Sequence, residues 1–125
     1  MKVQIAARLL SSSVGNALEM YYRLGDMPLE AFHTSEFVRI IDQLFDSLNG
    51  MSCSSADYKP LRSAISPTSK HLDFWNTLLQ DLPSWKLIHL ESDRNVTSRF
   101  YFIKGWQTTI TCLLYTSPSP RDGLL

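Results

Sequence analysis

A wide apolar stripe between residues 37 and 48 requires that part of this chain forms a helix with a buried face. Seven of those twelve residues are large and apolar: Phe37, Val38, Ile40, Ile41, Leu44, Phe45 and Leu48. Spacings of three and four residues place such side chains on one side of a helix, and burying each contributes about 1.5–3 kcal/mol. We therefore predict a core helix that Thr34 caps and that Asn49 and Gly50 end.

Helical spacing also occurs on either side of this stripe. Apolar residues recur every three or four positions over 1–23, and a glycine and a proline within 25–28 end that pattern. A serine run and Gly15 favour a kink or break inside it. A third helix is predicted over 67–82, because proline is a favourable first residue of a helix and Pro83 cannot continue one.

The pattern changes after Pro83. Two short runs rich in aromatic and aliphatic residues, 85–90 and 99–103, are typical of short strands or extended segments. Residues 107–111 are compatible with the opening of a further helix. The predicted fold class is therefore mainly α, a helical domain with a few short extended segments.

Composition excludes several classes of function. The 125 residues include 12 basic and 12 acidic side chains, so the chain lacks the positive charge typical of nucleic-acid-binding domains. No apolar run approaches the roughly 20 residues of a membrane span. Two cysteines cannot form a disulfide scaffold, which favours a reducing, intracellular location. No Walker A loop occurs, and the three histidines and Cys53 match no zinc-site spacing.

Two acidic residues, Asp42 and Asp46, lie four positions apart and hence on one face of the predicted core helix. A carboxylate pair at this spacing can bind a metal ion or accept hydrogen bonds from a base. It is also typical of a solvated helix face, and the pattern alone favours that second interpretation.

The last part of the sequence is expected to differ in origin from the rest. Residues 112–122 are identical to one reading frame of a common sequencing-library adapter, and 123–125 would then be index sequence. A genuine tail rich in serine and proline is the alternative that composition allows. We expect 112–125 to be an adapter-derived, disordered artefact, which leaves 1–111 as the genuine part of the protein.

Two sequence blocks carry a family resemblance. The first has the pattern K-V-x-x-A-x-x-x-x-S-x-S-V-x-x-A-L over 2–18 and continues as T-x-x-F-x-x-x-I-x-x-x-F-D-x-x-N over 34–49. The second is F-x-K-G at 102–105. Both resemble the P-element-type transposases, including the THAP-domain transposases of animals. The resemblance spans roughly 2–111 and is loose between Gly50 and Arg99.

In that family the corresponding region is a mainly helical insertion that binds GTP within an RNase H-like catalytic domain. The resemblance implies that GTP acts as a cofactor that helps to position transposon DNA and is not hydrolysed for energy. The catalytic acidic residues and their Mg²⁺ belong to the core of the parent transposase, so we predict no catalytic residue and no metal site in this fragment.

The resemblance also implies partners and a location. The expected partners are the RNase H-like core and, through the parent protein, transposon DNA. An oligomer of the parent is compatible with the assignment, no membrane partner is expected, and the parent is expected in the nucleus.

The family motifs place the cofactor-binding candidates at Asp46, Asn49, Lys59 and Lys104. A carboxylate can accept hydrogen bonds from guanine N1 and its exocyclic amine, an amide can read the guanine carbonyl, and a lysine can meet phosphate as a point charge. The alternative is that Asp46 and Asn49 only cap the helix end and that Lys59 is a surface lysine.

Two other functions stay open at the level of sequence. A decayed or domesticated copy would serve as a helical protein-interaction module without a ligand. Direct DNA binding is disfavoured by the zero net charge, although 86–104 is locally basic. Its basic residues are Lys86, Arg94, Arg99 and Lys104, against the acidic Glu91 and Asp93.

Overall fold

The computed structural model describes residues 2–49, 60–62, 65–66 and 69–116. In these residues the α-helices are α1 (Val3–Leu9), α2 (Ser12–Arg23), α3 (Leu29–Asn49), α4 (His71–Asp81) and α5 (Phe102–Thr116). Short 3₁₀ helices lie at Pro60–Arg62, Leu82–Ser84 and Thr97–Arg99. The chain divides into two compact units, a first unit, Met1–Ala64, and a second unit, Ile65–Leu125. The predicted mainly α fold is confirmed.

The break predicted in the first helical segment is confirmed next to the serine run. α1 ends at Leu9, and Ser11 has an extended backbone whose side-chain oxygen accepts a hydrogen bond from the Val14 N–H at 3.4 Å. A serine in this position satisfies one of the backbone N–H groups that a helix start leaves unpaired. The serine run therefore begins a new helix and does not continue the first.

α2 ends in a turn that depends on glycine, as the sequence predicts. Gly25 has a φ of +83°, and the N–H groups of Gly25 and Asp26 donate to the carbonyl oxygens of Tyr22 and Tyr21, both at 3.0 Å. This pair of hydrogen bonds is a Schellman cap, which favours a glycine in the left-handed conformation. α3 follows this turn and packs against α2.

The predicted cap at Thr34 is wrong, because α3 begins five residues earlier, at Leu29. Thr34 lies inside the helix, and its hydroxyl donates to the carbonyl of Glu30 at 2.9 Å. Pro28 precedes the first residue and Glu30 places a carboxylate in the first turn, and both features favour a helix start. A threonine can bond back to the carbonyl four residues earlier within a helix, so its presence does not require a cap.

The buried face of α3 is rotated from the predicted apolar stripe. Val38 and Leu44 are buried, whereas three stripe residues are between 39% and 44% exposed: Phe37, Phe45 and Leu48. Four polar residues are buried in their place: Ser35, Asp42, Asp46 and Ser47. The reason is that α2 and the Pro60–Arg62 helix contact α3 on that side and supply polar partners to the two aspartates, while the two serines donate to carbonyls of their own helix. The solvated-face interpretation of Asp42 and Asp46 is therefore wrong.

In the second unit α4 packs against α5 around a small apolar core. The core consists of Trp75, Leu78, Leu82, Ile103 and Ile110. His71 is also fully buried, with its ring edge-on to Trp75 at a centroid distance of 5.8 Å and its Nδ1 3.0 Å from the hydroxyl of Ser69. These contacts make His71 a hydrogen-bonded core residue of this unit.

α4 is shorter than predicted. It begins at His71, four residues after the expected start, and ends at Asp81; Pro67 itself lies outside the described residues. The hydroxyl of Ser69 donates to the carbonyl of Ser66 at 2.9 Å, so a side-chain-closed turn precedes the helix. The predicted end of this helix before Pro83 is confirmed, since Pro83 lies in the 3₁₀ helix that follows α4.

Of the two runs predicted as short strands or extended segments, 85–90 is extended without forming a regular strand, whereas 99–103 is mostly helical. An isolated antiparallel bridge joins Ile88 and Asn95 within a loop, and the Val96 N–H donates to the Leu87 carbonyl at 2.8 Å. Arg99 ends a 3₁₀ helix, and α5 already includes 102–111. Short apolar runs do not distinguish a strand from a buried helical turn, and in the second run the helix is formed.

α5 continues to Thr116, so the expectation of disorder is wrong for 112–116. Two leucines in this stretch are strong helix formers and extend the helix past Ile110. Residues 117–125 lie outside the described residues, and the adapter origin of 112–125 stays a prediction. None of the helices in the described part of the chain has both the length and the hydropathy of a membrane span.

Candidate functional site

The cofactor candidates Asp46 and Asn49 lie on the last turns of α3. Asp46 is buried, with 7% of its surface exposed, and its Oδ1 is 3.4 Å from Nε of Arg62. Arg62 belongs to the Pro60–Arg62 helix, which the buried side chain of Leu61 anchors to the first unit. The end of α3 therefore presents a buried carboxylate to a guanidinium that is 58% exposed.

Asn49 has a more open environment. It is exposed, and its side-chain nitrogen donates to the carbonyl of Phe45 at 2.9 Å. This bond satisfies a backbone carbonyl near the helix end, which is the structural role named above as the alternative. An amide nitrogen carries two hydrogens, so the same group can also donate to a carbonyl such as guanine O6.

Asp42 lies one turn before Asp46 and faces a different element. The hydroxyl of Ser12, the first residue of α2, donates to the carboxylate of Asp42. Hydrogen bonds to an ionised acceptor are stronger than those between neutral groups, so this contact fastens the start of α2 to α3. The structure thus separates the two aspartates: Asp42 contacts α2, and Asp46 contacts the Pro60–Arg62 helix.

The structure does not place the other two candidates, Lys59 and Lys104, beside Asp46 within the described residues. Lys59 lies outside them, in sequence directly before the Pro60–Arg62 helix. Lys104 is exposed on the first turn of α5, in the second unit. The described part of the candidate site therefore consists of Asp46 and Asn49, with Arg62 beside Asp46.

Sequence reasoning missed Arg62. A guanidinium is permanently charged and presents a planar fork of donors that matches carboxylate and phosphate oxygens. Next to Asp46 it can compensate the buried charge, and it can also meet a phosphate group. One sequence feature could have identified it: Arg62 lies three residues after Lys59, the phosphate candidate.

A second polar cluster, the Glu19 network, joins α2 and α3. Glu19 accepts hydrogen bonds from Arg23 at 2.6 and 2.8 Å and from Arg39, and Arg39 also donates to Oδ1 of Asn16 at 3.1 and 3.3 Å. The hydrogen bonds from Arg23 and then from Arg39 hold the pKa of Glu19 below its ordinary value. This network borders a shallow groove of about 310 Å³.

Metal ligands do not cluster in the described residues: no group of three or more His, Cys, Asp or Glu side chains there could hold an ion. Asp42 and Asp46 lie on one helix face but bond to separate partners.

Comparison with known proteins gives one match, to a family model. No curated protein and no solved structure matches the chain significantly. Residues 1–61 match the family model of the TNP-like, GTP-binding insertion domain. That stretch is just under half of the chain and contains α1, α2, α3, Asp46, Asn49 and Lys59. The match shows that residues 1–61 are similar to this insertion domain, which supports a transposase-related fragment.

Proposed function

We propose that this chain is part of the GTP-binding insertion of an RNase H-like, P-element-type transposase, and that GTP serves it as a cofactor for positioning transposon DNA. The observation that carries this proposal is the family match over residues 1–61. The matched stretch includes the end of α3, where Asp46 and Asn49 lie. Its partners are then the RNase H-like core and transposon DNA, the parent acts in the nucleus, and Mg²⁺ serves the catalytic domain of the parent.

The proposed division of labour follows the chemistry of each side chain. The Asp46 carboxylate accepts from N1–H and the exocyclic amine of guanine, and the Asn49 amide donates to the guanine carbonyl. Lys59 meets the phosphates as a compact point charge, and Arg62, 3.4 Å from Asp46, adds a second cation beside the base-reading carboxylate. Lys104 lies in the second unit and stays a sequence prediction, outside this division of labour.

The sharpest test uses the base specificity of Asp46. An Asp46→Asn variant keeps the size of the side chain but replaces one acceptor oxygen with a donor nitrogen. Xanthine carries a carbonyl oxygen where guanine carries the exocyclic amine, so the variant should lose affinity for a fluorescent GTP analogue and gain affinity for XTP. We expect about a tenfold or larger change in each direction, because an unpaired polar group in a binding site costs about 1–3 kcal/mol.

Asp26→Asn is the matched control, since Asp26 is exposed and lies in the turn between α2 and α3. It should leave both affinities unchanged. Asn49→Ala and Lys59→Ala should each weaken GTP binding, and phosphate release from GTP should stay at the level of buffer alone. An Asp46→Asn variant that loses GTP without gaining XTP would contradict base reading by Asp46.

The second candidate function is a helical protein-interaction module without a ligand. It is favoured by one observation, the partial exposure of Phe37, Phe45 and Leu48 along α3, because exposed apolar side chains in a contiguous patch commonly mark protein contacts. Absence of GTP binding by the unmodified chain at about 1 mM nucleotide, near the weak end of specific affinities, would favour this function over the first.

A further inference from the structure

The second unit carries a groove that contains none of the proposed base-reading residues. It has a volume of about 470 Å³, within the range of about 300–1,000 Å³ that ligand sites in proteins occupy. Its aromatic side chains are Trp85, Phe100 and Tyr101, and its polar ones include Asn95, Lys104 and Gln107. None of these residues belongs to the stretch that the family model matches.

The groove combines a tryptophan held in ring contacts with two exposed aromatic side chains. Trp85 is half-buried and stands edge-on to Trp106 at a centroid distance of 6.3 Å, and Trp106 in turn contacts Phe102 at 4.9 Å. Tyr101 is 75% exposed and Phe100 is 51% exposed. Adjacent exposed aromatic residues beside a partly exposed aromatic cluster are costly to leave in water and are typical of a surface that a ligand covers.

The segment that supplies most of the groove's lining is basic, although the whole chain is neutral. Between residues 86 and 104 four side chains are basic and two are acidic, which gives this segment a net charge of +2. Lys104 lines the groove itself, together with Ile103 on the first turn of α5 and Tyr101 directly before that helix. The N-terminal end of a helix carries partial positive charge that favours phosphate, so the helix end and Lys104 act in the same direction.

From these observations we propose that the groove binds single-stranded DNA. Unpaired bases stack on aromatic faces whatever their sequence, and a basic groove follows the phosphates. A duplex keeps its bases stacked on one another, so the exposed faces of Phe100 and Tyr101 would have no base to receive. Single-stranded RNA shares this chemistry; the choice of DNA rests on the proposed function, because a transposase-related chain acts on DNA.

The experiment measures fluorescence anisotropy of a labelled dT12 oligonucleotide titrated with the 125-residue chain, in parallel with U12 and a 12-base-pair duplex. We expect dT12 to bind at least tenfold more tightly than the duplex and more tightly than U12. Tyr101→Ala should weaken dT12 binding by about tenfold, since one stacked base contributes on the order of that factor. Lys104→Gln should reduce the slope of log K against log salt by about 0.7, the value for one phosphate contact on a single strand.

Two controls keep the test specific. Tyr115→Ala removes an aromatic ring that is 87% exposed on the same helix but does not line the groove, and Lys70→Gln removes an exposed charge that precedes α4. Both should leave dT12 affinity unchanged. Far-UV circular dichroism should be the same for all four variants, because every substituted residue is exposed.

Several outcomes would overturn the proposal. Equal affinity for duplex and dT12, or no effect of either Tyr101→Ala or Lys104→Gln, would exclude a stacking groove, and U12 binding as tight as dT12 would exclude the choice of DNA. Failure of dT12 to bind while Tyr101→Ala converts a dimer to a monomer would identify the groove as a contact between copies. The result is separable from GTP binding, because Tyr101→Ala should not change GTP affinity and Asp46→Asn should not change dT12 affinity.

Discussion

Replacement of Gly15 by alanine should destabilise the contact between α2 and α3, although alanine is the better helix former. Gly15 is buried inside α2, and a Cβ there would lie 3.1 Å from Cγ of Arg39 and 3.2 Å from the carbonyl oxygen of Ser35. Favourable contacts between carbon atoms lie near 3.5–4.0 Å. The Ser35 oxygen belongs to the backbone of α3, and Arg39 is held by hydrogen bonds to Asn16 and Glu19, so neither neighbour can move freely.

The magnitude follows from two opposing contributions. Alanine in a helix interior is favoured over glycine by about 1 kcal/mol, whereas overpacking a close contact costs about 1–3 kcal/mol. We therefore expect a net destabilisation of about 1 kcal/mol, which corresponds to about fivefold faster amide exchange in the peptides that cover α2 and α3.

Hydrogen exchange followed by mass spectrometry measures this effect locally. Ala17→Gly is the matched comparison, because Ala17 is exposed on the same helix and should lose about 1 kcal/mol by propensity alone. In an Arg39→Ala background the cost of Gly15→Ala should fall, since one of its two clashes is removed. Slower exchange in Gly15→Ala than in the unmodified chain would refute the close approach of the two helices at this position.

Three further predictions concern single contacts. Because the pKa of Glu19 is lowered in the folded chain, its ion pairs stabilise the fold at neutral pH. This stabilisation is lost as the pH falls below about 4.3 and through the lowered pKa. Glu19→Gln should therefore reduce the loss of hydrogen-exchange protection in α2 and α3 between pH 6 and pH 3. Ser12→Ala removes the hydroxyl that donates to Asp42 and should lower the free energy of unfolding in urea by about 1–3 kcal/mol, whereas Ser13→Ala, at an exposed position, should change it by less than about 0.5 kcal/mol. Trp75→Ala empties a fully buried position and should cost about 3–5 kcal/mol, visible as a lower thermal midpoint by far-UV circular dichroism.

Elements whose ends depend on local backbone chemistry were predictable from sequence. Ser11 caps α2 because a short side-chain oxygen reaches the backbone N–H three residues on, and Gly25 ends it because the turn needs a left-handed residue. The start of α3 was misplaced at Thr34 because threonine has two local hydrogen-bonding options, a cap and a bond back into the helix. The choice between them depends on Pro28, which the apolar pattern does not include.

The orientation of α3 could not be predicted from its own periodicity. Apolar spacing identifies a stripe, but the buried side is decided by the neighbour that packs there, and α2 approaches through Gly15 on the side that holds Ser35 and Asp42. In the candidate site, too, the sequence predicted a residue's position but not its partner. The motif placed Asp46 on the end of the helix, whereas its pairing with Arg62 joins residues on opposite sides of the connector over 50–59 and depends on the folded chain.

The two buried aspartates of α3 therefore differ in what their burial implies. The partner of Asp42 comes from α2, which is joined to α3 by a short turn, so the contact between Ser12 and Asp42 is a consequence of folding the helix pair. Arg62, which contacts Asp46, follows the connector that carries Lys59, the phosphate candidate. A substitution at Asp42 should accordingly act through the stability of α2 and α3, whereas Asp46→Asn should act through base preference. A carboxylate that only compensated Arg62 would show no preference between guanine and xanthine, so the contrast between these two positions separates a structural charge from a base-reading one.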